Sequence, residues 1–211
     1  MGDLTTLGEV VLARLQAKHE ARERTLAAAR QATRHAANAI RAVHRDEREA
    51  AQGLIGEARS ALAEAERACA NHPEVEHAGF LADARKEYVE ACTTYALVAG
   101  EELPGPDELG CGAAEYCNGL AEAVGELRRR VLDRLRVGEL TEAEALLGWM
   151  DDIYALLTTI DFPEGVTSGL RRSTDVARGI TERTRGDVTT ALVGERLREA
   201  LDRHRRDVLD T

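Results

Sequence analysis

Aromatic residues make up only 3% of this 211-residue chain, and proline occurs four times. The first scarcity removes the side chains that favour strands and those that build base-stacking platforms. The second leaves long stretches free of helix breakers. Lysine is nearly missing: Lys18 and Lys86 are the two present, and arginine supplies the remaining positive charge. No apolar run is long enough to cross a bilayer, and no segment has the pattern of a signal peptide. Met1-Gly2-Asp3-Leu4-Thr5-Thr6 formally matches a myristoylation pattern. An acidic residue straight after the glycine, with no basic patch following, argues against it. Cys69, Cys92, Cys111 and Cys117 form neither a CxxC pair nor a zinc pattern with histidine. They read as free thiols and point to a reducing compartment, the cytoplasm.

What remains is rich in alanine, leucine and charge, a composition that favours helices. Apolar residues recur at spacings of three and four: Leu4, Leu7, Val11 and Leu15, then Leu26, Ala29, Ala36, Ile40 and Val43. The periodicity predicts one or two long amphipathic helices, then a further helix from about 46 to 70. Another is expected over about 74–99. The loop around Pro104-Gly105-Pro106 precedes a helix over about 113–137, with Gly138 as its C-cap. Thr141 and Glu144 read as a capping box opening a helix that runs to about 160. A last helix from about Thr167 toward Asp207 carries the stripe Leu170, Ala177, Ile180, Thr184, Val188 and Ala191. Its other faces suggest pairs of Arg171 with Asp175, Arg178 with Glu182 and Arg183 with Asp187. A helix that long needs a partner surface, and it is expected to pack along the domain and to extend into a subunit contact. The expected architecture is a single all-α domain, a helical bundle of about six or seven helices spanning residues 1–211.

Two acidic pairs stand out. Glu87 and Glu90 are spaced i, i+3; Glu122 and Glu126 are spaced i, i+4. Either spacing puts both carboxylates on one helix face, where they repel unless something positive lies between them. If the two helices pack face to face, four carboxylates converge, and hard divalent cations such as Mg²⁺ or Mn²⁺ take oxygen ligands of that kind. Taken alone, acidic pairs of this kind more usually decorate a solvated face.

The formal net charge of -10 gives no global attraction to nucleic acid, so any such site must be a local patch. One candidate exists. No carboxylate occurs from Arg24 to Arg45, and Arg30, Arg34, Arg41 and Arg45 fall within about 60° of arc on an α-helix. His44 lies beside them. Arginine forks suit phosphate oxygens, and the absence of stacking aromatics favours recognition through backbone and shape.

Together these motifs resemble the translin family, in particular translin-associated factor X and its archaeal relatives. Glu87-Tyr88-Val89-Glu90-Ala91 resembles the acidic helix motif of that branch. Tyr116-Cys117-Asn118-Gly119-Leu120-Ala121-Glu122-Ala123-Val124-Gly125-Glu126-Leu127-Arg128 resembles the next motif, with Glu122 where that branch has aspartate. Ala39-Ile40-Arg41-Ala42-Val43-His44-Arg45 resembles the early basic helix. Gly169-Leu170-Arg171-Arg172, with Asp175, Arg178, Glu182 and Asp187 beyond it, resembles the C-terminal helix. The likeness spans roughly residues 20–200.

The resemblance implies a closed oligomer, often an octamer, that binds RNA or single-stranded DNA on its inner surface. It implies a Mg²⁺-dependent endoribonuclease in which Glu87, Glu90, Glu122 and Glu126 are both metal ligands and catalytic residues. Arg30, Arg34, Arg41, His44 and Arg45 would position the nucleic acid. A non-catalytic, translin-like binding assembly is the alternative. A di-iron carboxylate protein would need two Glu-x-x-His motifs, and only Glu74-Val75-Glu76-His77 fits. A purely structural helical oligomer with exposed acidic pairs is the remaining rival.

Overall fold

The computed structural model describes residues 3–209; Met1 and Gly2, and with them the myristoylation pattern, lie outside the described residues. The described chain is helical without strands. Six long helices carry the fold: α1 (Leu4–His44), α2 (Arg48–Cys69), α4 (Phe80–Ala99), α6 (Ala113–Val137), α7 (Leu140–Thr158) and α9 (Leu170–Leu209). Three single-turn helices join them: α3 (Pro73–Glu76), α5 (Pro106–Leu109) and α8 (Glu164–Thr167).

Helix α1 starts at the Asp3 N-cap, whose carboxylate accepts from the Thr5 N–H at 3.3 Å. Arg41 and His44 close its last turn, where positive charge complements the helix dipole. Residues 45–47 reverse the chain, and α2 folds back along α1. Their contact is lined by alanines, including Ala28, Ala32, Ala36 and Ala39 on α1 and Ala58, Ala61 and Ala65 on α2. Small side chains let the two backbones approach closely. Of the face anticipated on α1, Ala29, Ala36, Ile40 and Val43 are in the core, and α2 buries Ala58, Leu62 and Ala65 against it.

Helix α4 is the centre of the molecule. One side packs on the α1–α2 hairpin through Leu81, Ala84, Tyr88, Ala91 and Cys92. The other side meets α6, which leads into a second core with α7 and α9 built on Leu120, Leu127, Met150, Leu157, Leu170 and Ala177. Stripe positions Leu170, Ala177, Thr184 and Val188 of α9 are buried as the periodicity required.

Several boundaries differ from expectation. The helix expected over 74–99 is broken by a bend at residues 77–79, separating α3 from α4. Gly138 does terminate α6, in the left-handed conformation with φ 83° that glycine adopts without a Cβ penalty. Helix α7 begins at Leu140 after Glu139, so Thr141 lies inside the helix and is not its cap. Ser168, left-handed at φ 50°, separates α8 from α9, so the last helix opens at Leu170 and not at Thr167. None of the three ion pairs expected along α9 forms. Asp175 pairs with Arg178 at 3.7 Å, and Asp187 is taken by Arg128 of α6 at 2.9 Å. At Asp187 a partner from another helix replaces the neighbour on α9, whose exposed pairs are worth little.

The largest departure lies at the two ends. Every residue from Asp3 to Glu20 is exposed. Leu4, Leu7, Val11 and Leu15, which pattern as a core face, are 83%, 53%, 54% and 58% exposed. Val193, Leu197 and Leu201 of α9 are likewise open, at 58%, 60% and 59%.

Candidate metal centre

The two acidic pairs come from adjacent helices, Glu87 and Glu90 on α4 and Glu122 and Glu126 on α6. What lets these helices approach is Gly119, one turn before Glu122. A Cβ there would lie 2.6 Å from Cβ and Cγ1 of Val89 and 2.8 Å from the Lys86 carbonyl oxygen. Only a residue with no side chain fits this crossing. Asn118, beside it, fixes the far side of α6. Its Nδ2 donates to the Thr167 carbonyl at 2.9 Å, and its Oδ1 accepts from the Ser173 hydroxyl at 2.8 Å.

Glu87, Glu90 and Glu122 thereby converge. Each offers an oxygen, and these atoms lie within 4.8 Å of one another, all three side chains half-buried. No other metal-holding group of three or more occurs among the described residues. Glu74 and His77, the single Glu-x-x-His pattern, belong to no such group; Glu74 pairs with Lys18 at 3.4 Å. Asp151 is tied to Arg185.

The electrostatics are those of crowded acids. Glu90 is pushed up to about 8, first by burial and then by the charges of Glu87, Glu122 and Glu126. Glu87 is also raised, by burial and by Glu122. Neither has a hydrogen-bond or ion-pair partner among the described residues. Glu122 has one: Lys86 Nζ donates to its Oε1 at 2.7 Å. Burial works against the Lys86 ammonium, but the hydrogen bond and charge of Glu122 outweigh it and raise Lys86 above its usual range.

Glu126 stands apart from the other three acids. Its Oε2 lies 2.5 Å from His44 Nε2, and this hydrogen bond holds Glu126 below the usual carboxylate range. The His44 side chain is only 3% exposed. It therefore leaves the arginine stripe and joins the carboxylates. A second contact fixes the end of α1 in this place. Asp46 receives Arg130 Nη2 at 2.7 Å, while Arg130 Nε donates to Glu142 at 3.1 Å. Arg130 is one turn beyond Glu126 on α6, so the α1–α2 turn is clamped at two successive positions.

Arg30, Arg34 and Arg41 on α1, and Arg45 at its C-cap, are exposed. Arg45 is engaged by Glu47 through two contacts, at 2.8 and 2.6 Å. Arg41 donates to Asn38 at 2.7 Å. Arg30 and Arg34 have no ion partner among the described residues. His44 lies about 60° from Arg41 around α1, so the stripe borders the edge of the acidic centre.

Sequence reasoning missed Lys86, the His44–Glu126 contact, the Asp46–Arg130 clamp and the role of Gly119. Lys86 was the most accessible of these, being one of two lysines in an arginine-rich chain and adjoining Glu87. The others depend on which helices touch.

A centre holding three oxygen donors with two unpaired, partly buried carboxylates suits a hard divalent cation. No protein-family model matches the chain. It is similar to an uncharacterized protein of Methanocaldococcus jannaschii, 34% identical over 188 residues, covering 88% of this chain and 83% of that one. Among solved structures it is similar to AfC3PO in complex with duplex RNA, with a TM-score of 0.82 and 35% identity over 88% of this chain and 96% of that one. AfC3PO alone gives 0.80 and 35% over 88% and 97%. The fold is shared with apo-NeC3PO, at a TM-score of 0.78 and 19% identity over 90% and 98%. With that identity over nearly the whole of AfC3PO, on the same all-α architecture, the chain belongs to the C3PO/translin family.

Proposed function

We propose that the chain is a metal-dependent endoribonuclease of the translin-associated factor X type, acting as the subunit of a closed oligomer that binds RNA. The observation that carries this reading is the convergence of Glu87, Glu90 and Glu122, on the motifs that resemble that branch, within one 4.8 Å group. AfC3PO, the 35% identical relative, was solved with duplex RNA. The exposed arginines of α1 give this chain a surface of suitable charge for the same kind of ligand.

In this reading Glu87, Glu90 and Glu122 hold Mg²⁺ or Mn²⁺, and their mutual repulsion is relieved when they do. The bound ion supplies Lewis acidity and a nucleophilic water for phosphodiester hydrolysis. Glu126, oriented by His44, completes the acidic rim and accepts hydrogen bonds at its edge. Arg30, Arg34 and Arg41 hold the RNA backbone beside it, with Arg45 balanced by Glu47. His44 contributes by orienting Glu126, since its side chain is closed to solvent. The exposed apolar stripes at the start of α1 and the end of α9 support assembly with further copies, because uncovered apolar patches of this kind mark contact surfaces.

The test is cleavage of labelled single-stranded and duplex RNA with Mg²⁺, Mn²⁺ or EDTA. Wild type is expected to cut only with a divalent ion. Glu90→Gln and Glu126→Gln are expected to bind RNA as wild type does and to lose cleavage by at least about 100-fold, as is typical when catalytic electrostatics are removed. Binding without cutting under every condition would instead make the chain a non-catalytic binding assembly.

A further inference from the structure

The acidic centre is not left without positive charge. Of the two lysines in the chain, Lys86 reaches from α4 to α6 and places its ammonium 2.7 Å from Glu122 Oε1. Its side chain is 25% exposed, and Glu87 and Asp83 lie near enough to act on it electrostatically. The two carboxylates on α6 each have a side-chain partner, Lys86 on Glu122 and His44 on Glu126. The two on α4 have none among the described residues.

We propose that Lys86 is a resident cation of this centre, competing with the divalent ion for Glu122 and setting the metal concentration at which the site fills. The inference rests on the metal-centre reading above. Like charges within 4.8 Å of one another repel, and a single ammonium relieves part of that repulsion. An incoming divalent ion must share or displace that ammonium at Glu122, and it is repelled by it throughout. Lysine suits the role because it is a compact point charge on a flexible stem, able to give up one oxygen without vacating the neighbourhood. The planar fork of arginine would hold the carboxylate more rigidly.

The experiment is Mn²⁺ binding to the full chain, stripped of metal with EDTA and then dialysed, with free Mn²⁺ read by its electron paramagnetic resonance signal. Wild type, Glu90→Gln, Lys86→Met and Lys86→Gln are compared, each checked for a native helical spectrum and melting transition. In wild type, Glu90→Gln is expected to weaken binding. Both neutral substitutions of Lys86 are expected to tighten it on the order of tenfold, from one unit charge removed beside a divalent ion at a solvent-like dielectric constant. Affinity that stays the same or falls in both Lys86 variants, while Glu90→Gln still weakens binding, overturns the role of Lys86 and leaves the metal centre standing. Absence of any Glu90-dependent Mn²⁺ binding in wild type and in the Lys86 variants overturns both.

Discussion

At the scale of single residues, the consequential feature is a carboxyl group held in the wrong protonation state for its solution chemistry. Glu90 moves from 4.5 up to about 8 through burial and the surrounding acids. Between those values the folded, metal-free protein binds a proton that the unfolded chain has released, so stability falls as pH rises across that window. The full drop is roughly 5 kcal/mol. Urea denaturation in EDTA is expected to show it, and Glu90→Gln is expected to flatten it; an unchanged slope in the variant would assign the effect elsewhere. Glu126 behaves oppositely. The His44 hydrogen bond lowers it, so its contribution is present above the ordinary carboxylate range and is lost as pH falls below it. On the stripe, Arg30 and Arg34 are the exposed cations without ion partners. Arg34→Glu is expected to weaken RNA binding and reduce the magnitude of the log–log salt slope by about one, in a filter-binding titration.

At the scale of elements, the centre depends on how closely α4 and α6 cross. Gly119 is packed so tightly against Val89 and the Lys86 carbonyl that a methyl group must push the helices apart. Gly119→Ala is expected to destabilise by about 1–3 kcal/mol, the usual range for overpacking, and to weaken Mn²⁺ binding by separating Glu87 and Glu90 from Glu122. Gly125, on the same helix, has nothing within 4 Å of a built Cβ. Gly125→Ala is therefore expected to stabilise by up to about 1 kcal/mol through helix propensity alone. Thermal denaturation of the pair distinguishes a packing requirement from a general intolerance of alanine in α6. The boundaries that sequence misplaced follow the same logic. Thr141 looked like a cap because capping boxes are local patterns, yet Glu139 and Gly138 already complete the turn between α6 and α7. The expected pair of Arg183 with Asp187 is replaced because Arg128, from another helix, claims Asp187, while Asp175 takes Arg178 one turn along α9.

At the scale of the whole molecule, two apolar stripes have no cover among the described residues. The periodicity of Leu4, Leu7, Val11 and Leu15 is that of a packed helix, but the hairpin partner α2 ends before it reaches them. Val193, Leu197 and Leu201 repeat the situation at the other end. Under the proposed oligomer these stripes are subunit contacts. Leu7→Glu combined with Leu15→Glu is expected to reduce the assembly measured by light scattering while leaving the helical spectrum intact. An unchanged particle mass would place the contacts on other surfaces.

The sequence by itself determined the helical class, nearly every long helix, much of the buried stripe of α1 and α9 and the four acids and four arginines of interest. Those are set by local propensity and by the 3.6-residue period, which act along the chain. Only the tertiary structure decided that three of the four acids meet as a group while Glu126 turns to His44. It also decided that Lys86 bridges two helices and that the first turns of α1 stay bare. Each of these depends on the distance and rotation between helices, and that geometry is set by residues such as Gly119, Asn118 and Arg130, whose partners lie far away in sequence.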